Sequence, residues 1–124
     1  NVTRYGQRFM ELTPNQALEW WCTTIAEGVR RDAPDLTVRQ MAVLLLVYMT
    51  EAPHTVRGLA EALNISKPAV TRALDRLGKL EYLRRKEDEF DRRSVLVRPT
   101  VKGSIFLREY GEIIAKAGLR IDLA

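Results

Sequence analysis

Cysteine and histidine are almost missing from this sequence of 124 residues, which holds only Cys22 and His54. One cysteine excludes an intramolecular disulfide and a cysteine-rich metal site, and one histidine leaves little for a zinc centre. No metal and no cofactor is therefore expected. No apolar run approaches the roughly 20 residues that span a bilayer, and no signal peptide is visible, so a cytoplasmic protein without a membrane partner is expected. There is also no glycine loop to cradle a phosphate, no nucleophile with a plausible histidine partner, and no pair of carboxylates in an apolar setting. An enzyme is not expected on these grounds.

Charge of one sign is in only modest excess, at +4 overall, and its distribution says more than its size. From Ser66 to Lys102 there are eleven Lys and Arg against six Asp and Glu, a local +5, which leaves −1 for the rest. A confined basic zone is suited to phosphates, because each neutralised phosphate releases counterions. The 46% hydrophobic content suits one compact domain, or a protomer that completes its core with a partner.

The basic zone begins in a stretch that reads as helix, tight turn and helix. Val56 to Leu63 forms a first helix with Leu59, Ala60 and Leu63 on its apolar face, and Ile65 plugs the corner. Ser66 can cap a second helix, and Pro68 falls in its first turn, where a missing N–H costs nothing. Val70, Ala73, Leu74 and Leu77 recur at steps of three and four and share a buried face, while Lys67, Thr71, Arg72, Asp75, Arg76 and Lys79 point away from it. This arrangement matches the motif whose second helix enters the DNA major groove. Next, Tyr82 to Lys86 reads as a strand, Glu87 to Asp91 as a polar turn, and Ser94 to Arg98 as an alternating second strand. A hairpin placed there is a wing.

The run from Leu59 to Gly103 resembles the MarR family of winged helix-turn-helix transcriptional regulators. The matching pieces are LAEALNISKPAVTRALDRL (59–77), LRR (83–85), DEFDRR (88–93) and TVKG (100–103). Two residues depart from the family pattern. Glu81 stands where a glycine usually ends the recognition helix, and Pro99 stands where a leucine usually precedes Thr100. The resemblance implies a mainly α fold with a small β-hairpin wing, built as one domain over residues 1–124. Residues 34–100 form its reading head, and helices over 14–33 and 101–120 form a dimer.

Capping signals bound the flanking helices. Thr13 with Gln16 opens a helix from Pro14 to about Arg31, and Thr37 with Gln40 opens one from Val38 to about Thr50. The second, containing MAVLLLVYM, is apolar on nearly every side and is expected to be buried at the centre. His54 and Thr55 add an edge strand beside the wing. In the first helix Leu18, Trp21, Cys22, Ile25 and Val29 share one face, which is expected to pack as core and leaves Trp20 to a dimer surface or a pocket. Cys22 on such a face fits plain packing, the alternative being a peroxide or thiol sensor as in some relatives. Thr100 caps a last helix carrying Ile105, Phe106, Tyr110, Ile113, Ile114 and Ala117.

The expected partner is double-stranded DNA, read by a homodimer as a pseudo-palindrome with half-sites one or more turns apart, at roughly 34 Å per turn. Ser66, Lys67, Pro68, Thr71, Arg72 and Arg76 are expected to contact DNA, Thr71 and Arg72 at base edges and Ser66 and Lys67 at phosphates near the helix start, with Arg92 of the wing in the minor groove. Asp88 and Asp91 belong to the wing motif, where acidic groups near DNA must be paired or turned away. By resemblance, Asp75 bridges Arg85 and Arg93 and ties the wing to the recognition helix. Trp20, Met41 and Tyr48 admit two readings: ordinary packing, or a small aromatic effector site between the dimer helices and the reading head. The rival overall function is a winged-helix module for protein association without specific DNA binding; a contiguous apolar patch on the recognition surface would favour it.

Overall fold

The computed structural model describes residues 11–121, together with the backbone of two short antiparallel strands, β1 (Val2–Arg4) and β2 (Gln7–Phe9), a stretch to which the sequence pattern assigns no element. The remaining elements are α1 (Pro14–Arg30), α2 (Val38–Met49), β3 (His54–Thr55), α3 (Val56–Leu63), α4 (Lys67–Lys79), β4 (Leu83–Glu87), β5 (Val95–Pro99) and α5 (Val101–Gly118). They group into two compact units. One runs from Pro34 to Glu109, and the other joins the N-terminal residues up to Ala33 with those from Tyr110 onward.

Local chemistry sets most helix starts. Thr13 and Gln16 form a reciprocal capping box at 3.1 and 2.9 Å, and Thr37 and Gln40 repeat it with the same distances. Thr55 caps α3 by accepting from the Gly58 N–H at 2.9 Å, and Ser66 caps α4 by accepting from the Ala69 N–H at 3.2 Å. Helix α3 stops where Asn64 takes a left-handed conformation (φ 52°) and the Ile65 N–H reaches back to the Ala60 carbonyl at 3.1 Å.

Helix α4 ends the same way, at the position where the family pattern has glycine. Glu81 has φ 62°, its N–H donates to the Gly78 carbonyl at 3.0 Å, and the Tyr82 N–H donates to the Leu77 carbonyl at 2.9 Å. The helix thus closes in a Schellman arrangement despite the unfavourable residue type.

In the unit from 34 to 109, α2 contributes Val43, Leu44 and Val47 to the core, α3 contributes Leu59 and Ala60, and α4 contributes Ala69, Val70, Ala73, Leu74 and Leu77. Val97 of β5 closes this core. Only one side of α2 is buried, contrary to the expectation of burial all round. Val38, Leu45 and Met49, spaced by seven and four, form an exposed stripe on its other side. The sheet has the order β3-β5-β4, with His54 and Arg85 both opposite Val97 on either side of the central strand. His54 is therefore an edge-strand residue, its ring near the Thr50 carbonyl at 3.2 Å. Tyr82 packs beneath the wing, stacked on Phe106 with centroids 4.5 Å apart.

One hydroxyl joins helix, wing and last helix. Tyr48 of α2 accepts from the Thr100 N–H at 2.9 Å and lies within donating distance of the carbonyls of Tyr82 (2.9 Å) and Thr100 (2.8 Å). Thr100 in turn accepts from the Gly103 N–H at 3.0 Å and donates to the Glu81 carbonyl at 2.7 Å. A Cβ on Gly103 would collide with the Tyr48 hydroxyl and the Tyr82 carbonyl. The Thr-x-x-Gly signature is thus a helix cap followed by the one residue small enough to pass the tyrosine.

In the other unit, the face of α1 turned to its partner helix is not the expected one. Trp20 donates its indole N–H to the Ile114 carbonyl at 2.8 Å, its ring lies where a Cβ on Gly118 would meet it, and Thr24 is buried. Arg31 lies over the Tyr110 ring, 5.2 Å from its centroid. The stripe expected as core is instead exposed: Leu18 at 64%, Trp21 at 55%, Ile25 at 39% and Val29 at 67%, with Cys22 exposed among them. Two adjacent faces of α1 are apolar, and the tryptophan whose N–H finds a carbonyl takes the inner one.

Two substitutions probe these features in opposite directions. Gly103→Ala is expected to destabilise the protein by about 1–3 kcal/mol, since backbone and tyrosine must both yield. Glu81→Gly is expected to stabilise it by up to about 1 kcal/mol, by relieving the left-handed conformation. Urea denaturation of the two variants checks both, and a neutral Gly103→Ala would refute the close approach.

Candidate functional site

The outer face of α4 is polar along its length. Lys67, Pro68, Thr71, Arg72, Asp75, Arg76 and Lys79 are all exposed, while the opposite face is packed. Ser66 is also exposed; its oxygen caps the helix, and its proton is left to donate outward. The first turn therefore presents Ser66, Lys67 and two unpaired backbone N–H groups at the positive end of the helix dipole. Thr71 and Arg72 follow one turn on, and Arg76 another turn beyond.

The wing is joined to this helix by a single ion pair. Arg85 of β4 donates to an Asp75 carboxylate oxygen at 2.8 Å, with both side chains partly exposed. Arg93, expected on the same carboxylate, makes no ion pair in the described structure. It lies in the turn beyond the ladder, two residues before β5 begins, whereas Arg85 stands within the ladder opposite Val97. Position along the hairpin accounts for the difference.

Asp88 and Asp91 shape the wing turn rather than pairing with cations. The Asp88 carboxylate accepts from the Phe90 N–H at 2.9 Å, and the Asp91 carboxylate accepts from the Arg93 N–H at 3.0 Å. Two backbone bonds, Asp88 N–H to the Ser94 carbonyl (3.2 Å) and Ser94 N–H to the Asp91 carbonyl (2.9 Å), complete the turn. Glu89 lies 3.9 Å from Lys86. The Asp-x-x-Asp spacing is thus two successive Asx turns. Arg92 is exposed beside them.

Two residues that the sequence did not single out belong to this surface. Arg39, in the first turn of α2, shares a shallow recess of about 170 Å³ with Arg72, so two helices bring cations together. Phe90, at the apex of the wing, is 99% exposed. Arg39 lies 33 positions before Arg72, and no local pattern announces their approach; an aromatic residue inside a turn motif was the available sign for Phe90.

The three residues considered for an effector site fall in different units. Trp20 lines an apolar recess of about 250 Å³ with Leu12, Ala17, Trp21, Thr24 and Ile114. Met41 is half-buried on α2, and the Tyr48 hydroxyl is committed to the node described above.

A family model described as MarR family matches residues 35–94, which spans α2 through the wing turn. Over this segment the chain is similar to the MarR family, and the solved structures it resembles include a MarR transcriptional regulator. No curated protein matches the sequence significantly. Among solved structures, the chain is similar to a MarR transcriptional regulator from Methanosarcina mazei, at 26% identity and TM-score 0.64, covering 84% of this chain and 74% of that one. It is also similar to the transcriptional regulator Tm0710 from Thermotoga maritima, at 25% identity and TM-score 0.62, covering 82% of this chain and 66% of that one, just under two thirds of its length. A MepR–DNA complex from S. aureus shares the fold at 19% identity and TM-score 0.64, covering 82% of this chain and 78% of that one. The MarR segment holds the helix-turn-helix and the first strand and turn of the wing, while β5 and the helices α1 and α5 lie outside the matched residues. Among the described residues, no helix is long and apolar enough to cross a membrane.

The wing tie is open to a double-mutant cycle. Asp75→Ala and Arg85→Ala are expected to couple by about 0.2–1 kcal/mol, as exposed ion pairs do, whereas Asp75→Ala and Arg93→Ala are expected to be additive. Coupling of Asp75 to Arg93 alone would overturn the assignment.

Proposed function

We propose that the chain binds operator DNA sequence-specifically as a homodimer and regulates transcription, most simply repressing it, by occupying that site. The observation that carries this reading is the division of α4 into a packed apolar face and an exposed face of Lys67, Thr71, Arg72, Arg76 and Lys79. Arg72 is suited to bidentate recognition of a guanine, the Thr71 methyl to contact with a thymine, and Arg76 to the next turn of the groove. Ser66, Lys67 and Pro68 hold the helix start against phosphates, Arg39 adds a cation beside Arg72, and Arg92 enters the minor groove. Asp75 with Arg85, and the turns made by Asp88 and Asp91, hold the wing in place, with Arg93 in the same turn.

The exposed α1 stripe of Leu18, Trp21, Ile25 and Val29 supports the dimer, since an apolar row of this length is unusual on a free surface. Symmetry would then set two recognition helices against two half-sites. The recess beside Trp20 supports a small aromatic effector, which would act by binding more tightly to one spacing of the two reading heads than to the other. The protein-association alternative gains nothing from α4, whose exposed residues include no large apolar side chain.

Selection of random duplexes at two salt concentrations tests the reading. The wild-type protein is expected to enrich an inverted repeat, with Arg72→Ala relaxing one base position at a cost of about 1–3 kcal/mol, and Lys67→Ala weakening all sequences alike while lowering the salt slope by about one. Trp21→Glu is expected to sediment as a monomer and to lose the inverted repeat. Absence of any enriched sequence would transfer the lead to protein association.

A further inference from the structure

The wing apex carries a side chain that the fold does not use. Phe90 is 99% exposed, in a turn where residues that serve the backbone are normally found. Those roles are already filled by Asp88 and Asp91, whose carboxylates accept from the N–H groups of Phe90 and Arg93 at 2.9 and 3.0 Å. Both carboxylates are thereby folded back onto the turn, and the bonds between Asp88 and Ser94 and between Ser94 and Asp91 hold its base. The backbone on either side of Phe90 is fixed while its ring touches nothing that would bury it.

A lone exposed apolar side chain is ordinary on a protein surface. Placement distinguishes this one. The strand from Leu83 to Glu87 carries the turn roughly 14 Å beyond the core at Leu83, at about 3.4 Å per residue. Arg92 is two residues away and exposed, and the Asp75–Arg85 pair ties this hairpin to α4. An aromatic ring beside a cation on a narrow projecting hairpin fits a groove about 6 Å wide, where negative potential attracts the cation and apolar side chains can lean between base pairs.

We propose that Phe90 is a DNA contact and specificity determinant of the wing, its ring entering the minor groove beside Arg92 and partly unstacking one base step. This inference rests on the DNA-binding reading above. Pyrimidine–purine steps unstack most readily, so the ring confers preference for TA or CA at the position the wing meets, outside the bases read by α4. The surroundings favour a polyanion over a protein partner: exposed Arg84, Arg85, Lys86, Arg92, Arg93 and Arg98 outnumber Glu87, Asp88, Glu89 and Asp91 on the same hairpin, and the carboxylates of Asp88 and Asp91 are bonded to the turn's own amides.

The test uses the full chain and duplexes carrying the inverted repeat selected by the wild-type protein. Each flanking step is varied between TA and GC, and 2-aminopurine replaces one base of the step. Wild type is expected to prefer TA and to raise 2-aminopurine fluorescence on binding, the sign of an unstacked base. Phe90→Ala is expected to lose both signals and about tenfold in affinity for the TA duplex, in the range of a lost base–aromatic contact. Because the ring buries nothing, the variant should keep the wild-type urea midpoint and still enrich the same central bases. Equal binding and equal step preference in Phe90→Ala would overturn the wedge while leaving the DNA reading intact. Failure of the wild-type chain to retain any duplex would overturn both.

Discussion

The Tyr48 hydroxyl is the point on which the reading head depends. It is offered by the core helix and meets three backbone groups at once: the amide of Thr100 and the carbonyls of Thr100 and Tyr82. A hydroxyl has one proton, so it serves one carbonyl at a time while accepting from the amide. The start of the wing, its return strand and the entry to α5 are thereby fixed to α2 within one side chain's reach. Gly103 is a consequence of this constraint, and so is Thr100, whose hydroxyl caps α5 and holds the Glu81 carbonyl. The left-handed turn at Glu81 completes the circuit, delivering the chain from α4 to the residue that Tyr48 grips.

Around this node the charges are sorted by what they touch. Most of the acidic groups here are engaged: Asp88 and Asp91 in the wing by backbone amides, Asp75 of α4 by Arg85, with Glu89 near Lys86, while Glu87 is exposed. The cations of the outer face of α4 have no such claim on them, apart from Lys79's and Arg76's place at the negative end of the helix dipole. A net charge of only +4 is compatible with a basic outer face on α4, because the cations there outnumber the one carboxylate, Asp75, which is paired with Arg85.

Features set by neighbours in sequence were legible before the structure. The capping boxes at Thr13 and Thr37, the Ser66 cap and the amphipathic division of α4 all depend on residues within one or two turns, and each stands where the spacing placed it. The link of Asp75 to Arg85 came from resemblance alone, and its extension to Arg93 did not survive the hairpin's geometry. Orientation was harder to read. Helical period shows that α1 has apolar faces containing Trp20 and Trp21 but not which one is turned inward, and the deciding bond joins residues 94 apart in sequence. The approach of Arg39 to Arg72, and the exposure of one side of α2, depend likewise on packing that no local pattern records.

The two Asx turns make the wing tip a self-contained piece of backbone. Its shape is specified by Asp88, Asp91 and Ser94, while the side chains at 89, 90 and 92 are not needed to form it. Such a loop is a cassette: its recognition chemistry can be exchanged at three positions without renegotiating the fold, which offers an evolutionary and an engineering route to new target preferences that leaves the helix-turn-helix untouched.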